Sequence, residues 1–174
     1  MSIGATLLPE FDQEMQMTRK LLACVPDDRP DYKPHAKSMP LNRLAGHVAE
    51  LPNWATNTIK LEVLDLTPAS GEGFKPFFMT SKEGLLEAFD KNVAEARAAI
   101  AGASDEDLSK IWSLVYQGQT VLQMPRAAVL RTVVMNHLIH HRAQLGVYLR
   151  MNDIAIPGMY GPSADEARMF QAAT

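Results

Sequence analysis

The chain has 174 residues, a mass of 19.2 kDa and an ordinary composition, with 47% hydrophobic and 21% charged residues. This length is typical of one domain, and the composition excludes disordered, collagen-like and low-complexity proteins. The formal net charge of -3 argues against a nucleic-acid or anionic-membrane binder, because such proteins carry a concentrated basic face. We therefore expect a single domain over residues 1–174 that binds neither nucleic acid nor a membrane.

The single cysteine and the first residues of the chain indicate a reducing compartment. One thiol, that of Cys24, cannot form an internal disulfide, which removes the disulfide-stapled secreted class. Residues 1–9 lack the basic and apolar regions of a signal peptide, and no apolar run approaches the roughly 20 residues of a membrane span. We expect a cytoplasmic protein in which Cys24 contributes to packing and is not a nucleophile.

Four long segments carry the three- and four-residue apolar spacing of amphipathic helices. Ser38 and Pro40 fit the N-cap and first turn of the second segment, and residues 80–83 match a capping box at the start of the third. Pro52 lies inside the second segment and is expected to bend it. Together these segments predict an all-α four-helix bundle. They cover approximately residues 6–25, 41–59, 80–102 and 126–151.

Three linkers, each longer than ten residues, separate these helices: residues 26–39, 66–79 and 103–124. Parallel neighbours need a crossover as long as the bundle, so these lengths predict at least one crossover and disfavour simple up-down-up-down topology. In the last linker, residues 111–114 and 120–123 flank a Gln-Gly pair and predict a small hairpin. Residues 154–162 contain two prolines and two glycines, which are unfavourable in helices, so we expect an extended tail.

His137 and His141 stand four residues apart on the fourth predicted helix, so their side chains share one face. That spacing allows two imidazoles to ligate one metal ion, and both fall on the apolar stripe that must face the core. An inward imidazole without a partner costs about 1–3 kcal/mol, which makes packing a poor explanation for two of them. His47, in the apolar stripe of the second helix, supplies a third inward imidazole. Zinc, nickel or iron accepts such a set and keeps positions for water or substrate.

Other interpretations of the histidines stay open at this point. A histidine pair at this spacing also arises by chance, and a single core histidine is more often a hydrogen-bonded residue than a ligand. His140 is three residues from His137 and competes as a ligand by spacing, although its helical angle favours a supporting or surface role. His35 lies in a polar linker and is most simply solvated.

The sequence lacks the motifs of several other kinds of catalytic or binding site. The chain has no Glu-x-x-His pairs for a di-iron bundle and no H-E-x-x-H motif for a zinc protease. It also has no P-loop or Rossmann glycine pattern, so nucleotide binding has no support. The histidines are therefore the one place where the sequence offers chemistry.

Two blocks of this sequence resemble the DinB-like (DinB/YfiT) superfamily of metalloenzymes. They are LAGHVAELPNW at residues 44–54 and NHLIHHRAQL at residues 136–145, and the tail at residues 156–163 also matches. The resemblance covers nearly the whole chain. It implies an up-up-down-down four-helix bundle, usually a homodimer, in which three histidines bind a divalent metal, commonly zinc or nickel. It also implies that the metal ligands in this sequence are His47, His137 and His141.

The same resemblance implies an activity. Characterised members include thiol-dependent transferases and isomerases that use mycothiol or bacillithiol, so the implied nucleophile is a thiol or water on the metal rather than a side chain. Asn53, Trp54 and Tyr116 are then expected to line the substrate cavity, with His140 near the ligands. The expected function is a metal-dependent thiol S-transferase that acts on small electrophiles with a low-molecular-weight thiol. The alternatives are a metal-assisted hydrolase, a non-catalytic metal- or ligand-binding bundle in stress response, and a purely structural bundle.

Overall fold

The computed structural model of the chain, which describes residues 2–71 and 73–166, is mostly helical and carries one small sheet. The first four helices in chain order are α1 (Ile3–Leu22), α2 (Leu41–Lys60), α3 (Lys82–Gly102) and the short α4 (Asp105–Ser109). The last helical run comprises α5 (Arg126–Val129), a π-helical segment (Leu130–Asn136) and α6 (His137–Arg150). Among the described helices, none combines the length and the hydropathy needed to cross a membrane.

The helix starts differ in detail from the predicted ones. Helix α1 begins before residue 6 because the Ser2 hydroxyl accepts a hydrogen bond from the Ala5 N–H and caps the first turn. At α2 the N-cap is Pro40, with no side-chain cap, so the predicted capping role of Ser38 is wrong. Pro52 lies inside a continuous α2, and a bend at that position stays a prediction.

A three-stranded sheet corrects the all-α prediction. Its strands β1 (Val63–Asp65), β2 (Ile111–Tyr116) and β3 (Gln119–Pro125) lie in the order β1-β2-β3, with β1 parallel and β3 antiparallel to β2. The β2–β3 hairpin is confirmed, and its turn places Gln117 and Gly118 at φ angles of 50° and 73°. Strand β1 has three residues, too few for an alternating pattern to predict it.

The hydrophobic core lies between the long helices. Helix α2 packs against α3, α6 and the π-helical segment, and α1 packs against α3 and α6. The predicted apolar stripes therefore face one another, which removes their side chains from water. Fully buried members include Phe11, Leu44, Val48, Leu51, Phe89, Met135 and Leu145.

The sheet and one buried arginine join the end of α2 to the start of the last helical run. The Arg126 side chain, at the first residue of α5, is buried and donates to the Leu61 carbonyl at 3.0 Å, directly after α2. The Ser113 N–H of β2 donates to the Glu62 carbonyl at 3.1 Å. The two helical runs that carry the predicted ligands are thus attached to each other at one end.

The tail beyond α6 is held on the helices by a buried polar network. Residues 154–162 contain neither helix nor strand, as predicted. The Tyr160 hydroxyl lies 2.6 Å from Arg142 Nη2 and 2.9 Å from Glu14 Oε2. Arg142 and Glu14 also form an ion pair at 2.6 Å, and both are almost completely buried. This network fastens α1, α6 and the tail together.

Candidate metal centre

Three histidine side chains from α2 and α6 meet in the interior of the molecule. His47 Nε2 lies 3.4 Å from His137 Nε2, and His141 Nε2 lies 2.9 Å from the same atom. One nitrogen from each half-buried ring lies within 4.8 Å of the other two. Across residues 2–71 and 73–166, this is the one group of His, Cys, Asp or Glu side chains placed to share a metal ion. The structure brings together the three residues that the sequence predicts.

Glu50 fixes the orientation of the His47 ring. Its Oε1 lies 2.7 Å from His47 Nδ1 and also accepts from Arg43 Nη2 at 2.7 Å, and its Oε2 accepts from the Phe77 N–H at 2.8 Å. Burial acts to raise the pKa of Glu50, but the hydrogen bonds from His47, Phe77 and Arg43 hold it below its usual value. A carboxylate at Nδ1 places the ring proton there and leaves Nε2 free as a ligand.

The other two rings are oriented from within their own helical run. His141 Nδ1 donates to Gln144 Oε1 at 2.8 Å. The His137 Nε2 faces the cluster, and the backbone of Val133 acts on the ring by hydrogen bonding, which opposes the lowering of its pKa. Val133 belongs to the π-helical segment, a backbone form frequently found at functional sites. Each of the three rings therefore presents its Nε2 to the other two.

The electrostatics of the cluster favour neutral rings at His137 and His141. Burial, followed by the neighbouring His47, lowers the pKa of His137. Burial also lowers the pKa of His141, to about 4. The hydrogen bond to Gln144 opposes this lowering, whereas the neighbouring histidines add to it. Neutral rings whose lone pairs face one another repel unless a cation or a proton lies between them. Three imidazole nitrogens in this arrangement fit a divalent transition metal.

A cavity of about 450 Å³ opens beside His141. Its volume lies in the range of small-molecule sites. The Tyr148 hydroxyl donates to the Met39 carbonyl at 3.1 Å and fixes one wall. A small molecule in this cavity would reach the histidine cluster from the side of His141. The lining residues are Lys37, Ser38, Met39, His141, Gln144, Val147 and Tyr148.

His140, His35 and Cys24 lie away from the centre of the cluster. His140 is exposed and outside the three converging nitrogens, but its ring packs against that of His141 with centroids 4.8 Å apart, and its Nε2 lies 3.1 Å from Gln144 Nε2. His35 is exposed in the linker before α2. Cys24 packs at the edge of the core, and burial raises the pKa of its thiol, which disfavours the nucleophilic thiolate.

The three residues predicted to line the substrate cavity are placed apart from His141. Asn53 and Trp54 line a second cavity that has Glu50 in its wall. Tyr116 is 46% exposed at the end of β2 and lines neither of these two cavities. Glu50, which holds His47, lines the same cavity as Asn53 and Trp54.

Sequence reasoning missed the side chains that orient the histidines. Glu50 and Gln144 each follow a histidine of the cluster by three residues, and Arg43 precedes His47 by four. Those are the spacings at which side chains meet on a helix. This spacing is visible in the sequence, but it identifies orienting side chains only once the histidines are known to face inward.

Comparison with known proteins gives the family. The sequence profile described as "DinB family" matches residues 1–171. The chain belongs to the DinB family. Among relatives of this DinB-family chain, the uncharacterized protein YrdA of Bacillus subtilis strain 168 is 27% identical over 166 residues, which are 94% of this chain and 91% of YrdA.

Two solved structures are similar to this DinB-family protein. A DinB-like protein from Bacillus cereus ATCC 10987 has a TM-score of 0.67 and 25% identity, and the match covers 88% of this chain and 95% of that one. The DinB-like protein YjoA from Bacillus subtilis has a TM-score of 0.66 and 21% identity. The match covers 88% of this chain and 97% of YjoA and shows that the two share a fold. The predicted resemblance to the DinB-like family is thereby confirmed.

Proposed function

We propose that His47, His137 and His141 bind one divalent metal ion, zinc or nickel in preference to iron, and that the protein is a metalloenzyme. The proposal is carried by the convergence of three Nε2 atoms, with the His47 and His141 rings held through Nδ1 by Glu50 and Gln144. When bound, such an ion supplies Lewis acidity, which lowers the pKa of a thiol or water at neutral pH. The chain itself supplies the ligands, their orientation and the adjacent cavity.

An open coordination position favours an enzyme over a closed storage site. Structural zinc sites use four protein ligands, whereas catalytic sites use three and keep a position for water or substrate. Within the described part of the chain, no fourth His, Cys, Asp or Glu joins the cluster. The cavity beside His141 provides room for a small molecule. These observations support thiol-dependent S-transfer to a small electrophile, with metal-assisted hydrolysis as the alternative that would use the same open position.

Cobalt substitution tests whether a thiol reaches the metal. Adding 2-mercaptoethanol to the cobalt-loaded protein is expected to produce a sulfur-to-cobalt charge-transfer band in the near ultraviolet, because the proposed site leaves a position free. Ethylene glycol, which has a hydroxyl in place of the thiol, is the control and is expected to give no such band. If the spectrum stays unchanged at saturating thiol, S-transfer at this site is contradicted.

Replacing Glu50 with glutamine is expected to weaken zinc binding about 10- to 100-fold, the usual effect of removing a group that orients a metal-bound histidine. The variant loses the negative charge that holds the Nδ1 proton of His47. Competition with a chromophoric chelator measures the zinc affinity. Glu62→Gln, at an exposed position just beyond α2, is the matched control and should leave the affinity unchanged. An E50Q protein with undiminished affinity would show that His47 needs no orienting carboxylate.

We further propose the overall arrangement that the family resemblance implies: a single domain over residues 1–174, an up-up-down-down four-helix bundle, a homodimer and a cytoplasmic location. The long linkers support the bundle topology. Val147 and Met151 of α6 are 58% and 56% exposed and provide apolar surface for a second copy. Light scattering on the purified protein measures the dimer, and a mass of one chain would contradict it.

A further inference from the structure

A second cavity, of about 420 Å³, lies between α2, α3 and the linker that joins them. The lining contains none of the three clustered histidines, but it does contain Glu50. Its volume is in the range of small-molecule sites. The chemistry of its walls indicates which kind of molecule would fit.

One wall of this cavity is aromatic and held in a fixed shape. The rings of Trp54 and Phe74 pack edge to face, with centroids 6.0 Å apart at an interplanar angle of 65°. The Phe74 N–H donates to the Leu66 carbonyl at 3.2 Å. At Gly73 a Cβ would stand 2.5 Å from that carbonyl oxygen, so the linker can fold this closely only with glycine there. This fold presents Phe74, which is 38% exposed, to the cavity.

Amide groups without protein partners also line the cavity. The side chains of Asn53 and Asn57 form no hydrogen bond to another residue in the described ranges 2–71 and 73–166. The Asn92 amide donates to the Ala49 carbonyl at 2.9 Å, which leaves its side-chain oxygen as an acceptor. These groups are able to donate to and accept from a bound polar molecule.

The charge at the cavity is positive. Lys75 and Lys91 are exposed at its edge, and neither forms an ion pair with a carboxylate of the described residues. The acidic lining residue, Glu50, is paired with Arg43 at 2.7 Å. Two ammonium groups therefore remain uncompensated by described residues and favour an anion.

We propose that this cavity binds a small organic anion with a flat apolar body. The flat part packs against Trp54 and Phe74, the anionic group faces Lys75 and Lys91, and the asparagine amides orient it. The site is separate from the proposed metal centre and does not depend on a metal. Glu50 lies between the two, because it lines this cavity while its Oε1 holds His47.

Benzoate is the probe for this site, and benzamide, with the same shape and no charge, is its control. In proton–nitrogen correlation spectra of the full chain, benzoate is expected to shift the Trp54 indole N–H and the backbone N–H of Phe74 saturably. Benzamide should bind about fivefold more weakly or worse, since it lacks the attraction to two ammonium groups. The double variant K75Q/K91Q should weaken benzoate binding by at least about fivefold and leave benzamide binding unchanged. Lys60→Gln, at the exposed end of α2, is the control variant and should alter neither benzoate binding nor benzamide binding.

Running the titration on zinc-loaded and on chelator-treated protein separates this site from the metal centre. Equal shifts in both samples are expected. Shifts confined to His137 and His141, or lost on chelation, would mean that the carboxylate binds a metal, and would overturn the cavity proposal. Equal benzoate affinity in the K75Q/K91Q variant, or no saturable shift of the Trp54 indole N–H, would overturn it as well.

Discussion

Replacing His137 with alanine is expected to reduce the bound divalent metal from about one equivalent per chain to near zero while the helices remain. His137 Nε2 is the nitrogen shared by the two short contacts of the cluster, at 3.4 Å to His47 and 2.9 Å to His141. Its removal leaves two imidazoles, too few for the three-ligand site typical of catalytic zinc. Alanine is a strong helix former, so α6 should persist. Elemental analysis of the purified protein and far-ultraviolet circular dichroism measure the two effects.

His140→Ala is the matched control for this experiment. His140 lies on the same helix, three residues away; it is exposed, and its ring packs on His141 without contributing a nitrogen to the cluster. The variant is expected to keep its metal. Full metal occupancy in H137A would disprove the three-histidine site, and equal loss in both variants would point to nonspecific binding by surface histidines.

Replacing Arg142 with methionine is expected to lower the free energy of unfolding by about 3–5 kcal/mol, the usual cost of removing one partner from a buried ion pair. Arg142 is 2% exposed and pairs with Glu14, which is 4% exposed, at 2.6 Å. It also donates to the Thr18 hydroxyl at 3.1 Å and to the Tyr160 hydroxyl at 2.6 Å. Without it, a buried carboxylate keeps only the Tyr160 hydroxyl as a partner among these groups. Urea unfolding of metal-free protein measures the loss.

Two further variants test whether the loss of stability in R142M comes from an unpaired buried carboxylate. Arg19→Met breaks an ion pair with Asp90 in which both side chains are about half exposed, and should cost less than about 1 kcal/mol. The double variant E14M/R142M removes both buried charges and should recover most of the stability lost in R142M. A double variant as unstable as R142M would show that lost packing, and not an unpaired carboxylate, is responsible.

The sequence allows the ligand set to be predicted because helical spacing and apolar stripes are local signals. When the apolar stripes pack, the histidines within them must point inward. His47 lies between the buried Leu44 and Leu51, and the His137–His141 pair lies beside the buried Leu145. The supporting contacts are harder to predict. Phe77 donates to Glu50 from 27 residues away, and no periodic pattern specifies that contact.

The backbone itself accounts for the remaining differences. The sheet is missed in part because β1 pairs with β2 across about 50 residues, a contact that local propensity does not encode. The π-helical segment before His137 has ordinary helix-forming residues, and its wider hydrogen-bonding register leaves no mark in the apolar spacing. Yet this segment contains Val133, which holds the His137 ring.

The attachment of α2 to the last helical run has a consequence for how a cation would be taken up. Arg126 and the β1–β2 pairing fix the relative position of the two runs without any contribution from the histidines. A site whose frame is set elsewhere is preorganised: little conformational entropy is lost when a ligand arrives. Metal loading of the folded chain should therefore be a matter of local side-chain adjustment, with exchange governed by access through the cavity beside His141.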